Sequence, residues 1–400
     1  MDFMWRTKYL ILFTVFIDVI GFGIVIPILP FYVAGFNSSP AVITALFAVY
    51  SLCSFFSAPI IGALSDRFGR RPMLMISIAS TAVGWLIFAS ATSLLFLFVG
   101  RIIDGLAAGN YSIAQGYLTD IAKDEKERTT NLGLIGMIFG IGFIIGPFIG
   151  GLLGVISNVF PFLFVGVLAS INTVLAYFFL PETHFHRTLS RRISINPFKP
   201  IMRAVHNRQL RPNFIAWFFF GLALSGFQAV FALYLHDVFG FEELGAGIIY
   251  MVMGVVIALN QGVALKHIWL KYFREPDLEL WMLLGFVLSF VLMSMHTFFI
   301  FMTGFFLTTF GQSVLRVVMT SQIAARTDRA VKGEVLGITS SLTSLSMAIS
   351  PLVSGMLYKT YNGLPFLMSA VYISIAFGVL YFFRKTLPRD LPDITMRSSI

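Results

Sequence analysis

The chain has 400 residues, 57% of them hydrophobic and only 12% charged, with a mean hydropathy of +0.85. Ordinary soluble domains carry about a quarter charged residues, so the composition argues against a water-soluble globular enzyme, and the same arithmetic excludes intrinsic disorder. The 44 Phe and 34 Gly suit helices that face lipid and one another. A single cysteine, Cys53, leaves no intramolecular disulfide and no cysteine-cluster metal site. The net charge of +9 would fit nucleic acid only if it formed a basic face on a soluble domain, and the placement of the charges speaks against that.

Crossing the hydrocarbon core as a helix takes about 20 apolar residues, because every backbone polar group must be satisfied within the segment. Runs of this kind lie near 9–31, 41–61, 73–92, 94–118, 132–155, 159–180, 213–235, 246–265, 280–295, 298–323, 335–357 and 364–383. They predict an all-α membrane protein of twelve spans. With loops alternating between two sides, all of the 28 Lys and Arg except Arg101, Arg316 and Lys359 fall on the side of the N-terminus. Positive charge is retained in the cytoplasm during insertion, so both termini are expected there. The first run carries Asp18 and Pro27 and no small-residue cleavage site, which argues against a signal peptide.

At a constant offset of 204 residues, Arg70 and Pro72 match Arg274 and Pro276, and Leu132, Gly133, Pro147 and Gly151 match Leu336, Gly337, Pro351 and Gly355. Pro161, Phe162 and Leu163 likewise match Pro365, Phe366 and Leu367. Six spans per copy is an even number, so the copies are parallel repeats, as in transporters whose halves rock about a site between them. The expected organisation is a bundle over 1–180, a basic cytoplasmic linker over 181–212, and a second bundle with a short tail over 213–400. His184 and His186 in the linker have no companion ligands, so a solvated loop and no metal are expected. The sequon at Asn37 falls in an external loop.

An ionisable residue at bilayer depth is costly and marks function by default. Asp18 lies about 9 residues into span 1, roughly 14 Å at 1.5 Å per residue. Span 4 brings Asp104 to a similar depth, with Arg101 one turn away where an i, i+3 pair can meet. Burial and a neighbouring arginine act on a carboxyl group in opposite senses, so the two acids are expected to titrate differently. Asp18 has no sequence-local partner and is the better candidate for a group that takes and releases a proton; a static polar tie among the three residues is the alternative. Asn110, Tyr111, Gln115, Gln228, Gln312 and Arg316 are further candidates for lining a solute cavity, while Asn260 and Gln261 read equally as helix-to-helix ties. Trp85 and Trp217 are possible pocket walls.

Two segments carry more specific patterns. Gly62-Ala-Leu-Ser-Asp66-Arg67-Phe-Gly69-Arg70-Arg71-Pro72 joins spans 2 and 3, with two glycines for a tight turn and one acid among three cations. Span 5 carries Gly142, Gly146, Pro147, Gly150 and Gly151, a smooth face with a proline that favours a kink. The first segment resembles the signature loop of the major facilitator superfamily, and the second resembles the antiporter signature of its drug-exporting branch. Arg101 to Gly105 is similar to that superfamily's R-x-x-x-G motif, and Asp18 to Pro30 resembles the first helix of tetracycline-type exporters. The loop between spans 8 and 9 departs from the family by lacking the aspartate and both glycines, and Asp104 stands where a neutral residue is common.

The resemblance, which covers nearly the whole chain, implies a 12-helix drug:proton antiporter in the bacterial inner membrane, without cofactor, metal or nucleic acid, and acting as a monomer. It implies exchange of protons, through Asp18, Arg101 and Asp104, for a small organic solute such as a drug or amphipathic metabolite. It also implies a conformational latch in which Asp66 meets the start of span 11 near Gly337 in the outward-open state while Arg70 meets Asp120. A proton-coupled uptake carrier and a siderophore or lipid exporter share the fold and stay open as alternatives. No nucleophile motif, phosphate loop or metal-ligand spacing supports an enzyme.

Overall fold

The structure, a computed structural model, describes residues 2–36, 38–183, 198–206, 209–326 and 332–386; Asn37, His184 and His186 lie outside the described residues. Among the described residues twelve helices are long and apolar enough to cross a membrane: Thr7–Ala34, Pro40–Phe68, Arg70–Ala89, Leu94–Asp120, Thr130–Ile156, Phe160–Phe179, Arg211–Phe239, Glu243–Tyr272, Glu275–Met293, Phe298–Ile323, Gly337–Thr360 and Leu364–Phe383. They are spans 1 to 12 below. Among the described residues every regular element is helical.

The neighbour scheme of the first six spans recurs in the last six. Span 1 packs on spans 5 and 6 and span 3 on spans 4 and 6; correspondingly, span 7 packs on 11 and 12 and span 9 on 10 and 12. The two sets meet where span 5 packs on span 8 and span 2 on span 11. Adding six to one member of each pair and subtracting six from the other exchanges the two contacts, as a twofold relation between the sets demands. Lipid tails are as apolar as leucine, so close packing and polar ties rather than hydrophobic burial hold such helices together. One such tie is Tyr32 Oη, which donates to the Phe88 carbonyl at 2.9 Å; another is Trp217 Nε1, which donates to Thr343 Oγ1 at 3.0 Å.

Three sequence expectations need correction. Span 4 is two helices, Leu94–Leu106 and Asn110–Asp120, rather than one. No proline breaks it. Neighbouring hydroxyls take over its backbone: Ser57 Oγ donates to the Gly105 carbonyl at 2.7 Å, Ser80 Oγ to that of Ile103 at 2.6 Å, and Ser77 Oγ to that of Ala107 while accepting from the Gly109 N–H at 2.9 Å. An interrupted helix is stable at membrane depth only when such groups satisfy it. Secondly, Gly62 is not in a turn but inside span 2, and the connection to span 3 is Gly69 alone, at φ 110° and ψ 155°. Glycine alone occupies that region readily. Thirdly, span 8 changes from α- to π-helix over Asn260–Trp269. Asn260 there is tied to span 10 through the Ser313 hydroxyl at 2.6 Å and to its own span through Trp269 Nε1 at 2.8 Å.

With an even number of spans, Thr7 and Phe383 lie on one face together with the Asp66–Arg71 connection, called the basic face below. The halves touch on the opposite side. The Phe31 ring stands 5.2 Å from that of His236. A Cβ at Gly151 would lie 3.0 Å from the Glu243 carbonyl, and one at Gly254 2.8 Å from that of Phe143. Nearer the basic face, Cβ positions at Gly133, Gly136 and Gly140 of span 5 have no atom of another element within 4 Å. A crevice therefore opens between the halves toward the basic face.

Candidate functional site

Phe22, Gly23 and Ile26 of span 1 line two small cavities, each of about 20 Å³, at the closed end of this crevice, and Gln228 of span 7 borders both. Asp18 stands one turn from Phe22 on the same helix face. It is half-buried and accepts a hydrogen bond from Asn110 Nδ2 at 3.0 Å, a partner 92 positions away. The break in span 4 makes this contact: Asn110 is the first residue of the second helical segment, aimed back at span 1. Its Nδ2 also donates to Thr81 Oγ1 at 3.3 Å, and that hydroxyl faces Asp104. Thr81 and Asn110 thus bridge the two carboxyl groups. The Asn110 amide oxygen is buried and has no hydrogen-bond partner.

Arg101 and Asp104 are both buried, and their closest approach is 3.7 Å. The guanidinium is held between two rings, its carbon 4.5 Å from the Tyr50 centroid and 5.1 Å from that of Trp85. Its Nε points at the Leu46 carbonyl at 3.4 Å. Cation–π contacts contribute about 0.5 to 2 kcal/mol each, more when desolvated. Trp85 is thus a wall for Arg101 rather than an open pocket surface. Close approach of spans 3 and 4 permits this, since a Cβ at Gly84 would lie 2.8 Å from the Gly100 carbonyl.

At the basic face, Arg70 Nη1 pairs with Asp66 at 2.7 Å and its Nε with Asp120 at 3.1 Å. Glu182, at the end of span 6, accepts from the backbone N–H groups of Arg70 and Arg71 at 3.0 and 3.1 Å, placing a carboxylate on the N-terminus of span 3 where the helix dipole favours it. Arg71 Nη2 donates to the Tyr177 carbonyl at 2.7 Å, and Arg67 lies over Phe68. Asp66 is about half exposed, and its described ion pair is with Arg70 rather than with the start of span 11.

The span 5 glycines are divided between two neighbours. Gly142, Gly146 and Gly150 face span 1 around Val19–Ile24, whereas Gly151 faces span 8 across the halves, and Pro147 lines a cavity. Of the other candidates, Tyr111 is exposed with its ring edge against Phe139, Gln115 is half-buried, Gln312 is buried, and Arg316 is exposed. Sequence reasoning missed Thr81, Tyr50 and the orphaned Tyr250 hydroxyl in the cavity that Pro147 lines. Only spatial neighbours identify them. Among the described residues no cluster of His, Cys, Asp and Glu is arranged to hold a metal ion.

Residues 11–275 and 268–397 match the family model of the Major Facilitator Superfamily. The chain is 30% identical to the tetracycline resistance protein, class C, of Escherichia coli over 90% of its length and 92% of that protein's. It is 26% identical to multidrug resistance protein 2 of Bacillus subtilis (strain 168), covering 94% of each. In fold it superposes with a TM-score of 0.78 on a bacterial homolog of the human lysosomal transporter Spinster, at 13% identity and over 96% of this chain and 97% of that one. The chain therefore belongs to the major facilitator superfamily, an integral multi-pass membrane protein that carries small solutes across the bilayer.

Proposed function

We propose that the protein is a proton-driven exporter of a small organic solute, a drug or amphipathic metabolite, in the bacterial inner membrane with both termini in the cytoplasm. The bundles 1–180 and 213–400, joined by the linker 181–212, rock as monomeric halves about the crevice between them. The names of the similar tetracycline and multidrug resistance proteins support the solute class. The observation that carries the proton assignment is the contrast between two acids: Asp104 has Arg101 beside it, whereas the described contact of Asp18 is a neutral amide.

Asn110 suits an acid that changes state. Its N–H donates to an ionised Asp18, and after an amide flip its free oxygen accepts from a protonated one. Protonation removes a charge from the wall of the crevice. It shifts the balance of inward- and outward-open forms by the difference in proton affinity between them, and a solute acts through its own difference. Asp66 and Arg70 latch the basic face when the crevice there closes, and the span 5 glycines let spans 1 and 8 slide past a smooth face.

Asp18→Asn should abolish solute movement driven by an imposed proton gradient in proteoliposomes while leaving membrane insertion and monodisperse elution intact. Full proton-driven activity in that variant would overturn the assignment.

A further inference from the structure

Arg316 lies 18 residues from Phe298 and 9 from Ala325, at the two ends of its helix. These separations correspond to roughly 27 Å and 14 Å of helix, so the residue is at membrane depth. At 100° per residue it shares a face with Phe305, Thr309, Gln312 and Ile323, all buried. That face is turned to span 7: Phe305 stacks on Phe231 at 4.7 Å, and Ile323 packs with Leu210 and Phe214. The lipid-facing side is the one with the exposed Thr303, Phe306, Phe310 and Val317. Arg316 is nevertheless exposed, so it stands where the inward face opens onto the crevice.

Among the described residues its guanidinium makes no hydrogen bond, ion pair or ring contact; only its carbonyl is engaged, by Thr320. Three acids of the second half have partners of their own. Glu275 accepts from Gln322 at 2.9 Å, Glu279 lies beside Arg326, and Asp237 accepts from Tyr358 at 3.0 Å. Arg101, the other intramembrane arginine, is enclosed by an acid, a carbonyl and two rings. A fully charged, planar five-donor group held open in a transport crevice matches a planar or tetrahedral oxyanion in a way an ammonium does not.

We propose that Arg316 is the anchor for an oxyanion group on the transported solute, a carboxylate, enolate or phosphate. This deepens the transporter reading but does not depend on its proton coupling: equilibrium binding reports on Arg316 whether or not Asp18 exchanges protons, so the two can fail separately.

The test is binding to the purified full chain in nanodiscs, followed by thermal shift and fluorescence polarisation. The probes are 1-naphthoate and 1-pyrenecarboxylate, each against its methyl ester, and phenyl phosphate against its uncharged dimethyl ester, on wild type, Arg316→Gln and Arg316→Lys. At least one acid should bind wild type about tenfold or more tighter than its ester, as a charge-assisted pair requires. That preference should vanish in Arg316→Gln and partly survive in Arg316→Lys, whose charge is kept and whose fork is lost. Equal binding of acid and ester, no binding of any acid, or an unchanged preference in Arg316→Gln would overturn the proposal. Stabilisation of wild type by phosphatidylglycerol over phosphatidylcholine, lost in Arg316→Gln and without response to any soluble acid, would put the oxyanion on a lipid headgroup and overturn the solute assignment.

Discussion

At positions 204 residues apart, the first half carries Asp18, Asp66, Arg101, Asp104 and Asn110 where the second carries Leu222, Leu270, Phe305, Thr308 and Val314. The helices around these positions have the same neighbours in both halves, so topology does not require the charges. The second half fills the corresponding space with rings: Phe231 stacks on Phe305 at 4.7 Å and on Phe301 at 5.7 Å, and Tyr234 on Phe301 at 4.8 Å. Aromatic pairs of this kind contribute about 0.5 to 1.5 kcal/mol beyond simple burial, and the phenylalanines among them have no protonation state to change. Among the described residues at membrane depth, one half of the repeat is thus a fixed wall with Arg316 as its open cation, and the other carries the groups whose charge can vary.

The comparison breaks most severely at Arg101. Removing one member of a buried ion pair strands the other, at a cost of about 3 to 5 kcal/mol. Arg101→Ala should lower stability by that amount in detergent unfolding and abolish solute exchange. Installing the second half's solution in the first, Arg101→Phe with Asp104→Thr, should recover most of the stability and none of the exchange. A double variant that transports normally would show the pair to be structural only.

Much of this arrangement is legible in the sequence, for identifiable reasons. Hydrophobic run length locates all twelve spans, with ends off by up to seven residues, because the bilayer sets the length. The Arg101–Asp104 pair follows from helical spacing alone. The link between Asp18 and Asn110 does not, because it spans 92 positions and depends on a break in span 4 that no proline announces. The sequence there reads Ala107-Ala108-Gly109, unremarkable for a membrane helix, and the hydroxyls that stabilise the break come from spans 2 and 3. Gly62 misled for the opposite reason. A glycine reads as a turn, yet a Cβ there would meet only Ser112 Oγ at 3.9 Å, an ordinary contact within a continuing helix. Likewise, nothing local signals the π-helical segment after Leu259, whose partner Ser313 lies on another span.

A smaller effect is expected at the connection between spans 2 and 3. Gly69 has φ 110° and ψ 155°, and a Cβ there would strike the Glu182 carboxylate that caps span 3; its counterpart, Phe273, has φ −123°. Gly69→Ala should therefore cost about 1 to 3 kcal/mol, the strain of a conformation essentially reserved for glycine. Phe273→Ala, at an exposed position in extended backbone, should stay within about 0.5 kcal/mol. Thermal unfolding of the two variants side by side measures the difference, and equal losses would mean that the two connections are equivalent after all.

Asp66→Ala is expected to have the least effect on stability and still alter function. The carboxylate it removes is about half exposed, and ion pairs open to water are worth about 0 to 1 kcal/mol. Arg70 keeps Asp120 at 3.1 Å and Ser65 Oγ at 2.8 Å, so its position does not depend on Asp66. If Asp66 matters only in the state where the basic face is closed, its loss leaves the open form and its solute affinity unchanged while making the closed form harder to populate. The signature is an unchanged binding constant, an unfolding midpoint within a degree or two of wild type (about 2 to 4 °C per kcal/mol is expected even for larger soluble domains), and a turnover slowed severalfold. The corresponding change in the other half, Leu270→Ala, should leave turnover as it was, because no acid stands there to latch. Wild-type turnover in Asp66→Ala would remove the latch from the cycle and, with it, the reason for the asymmetry between the two connections.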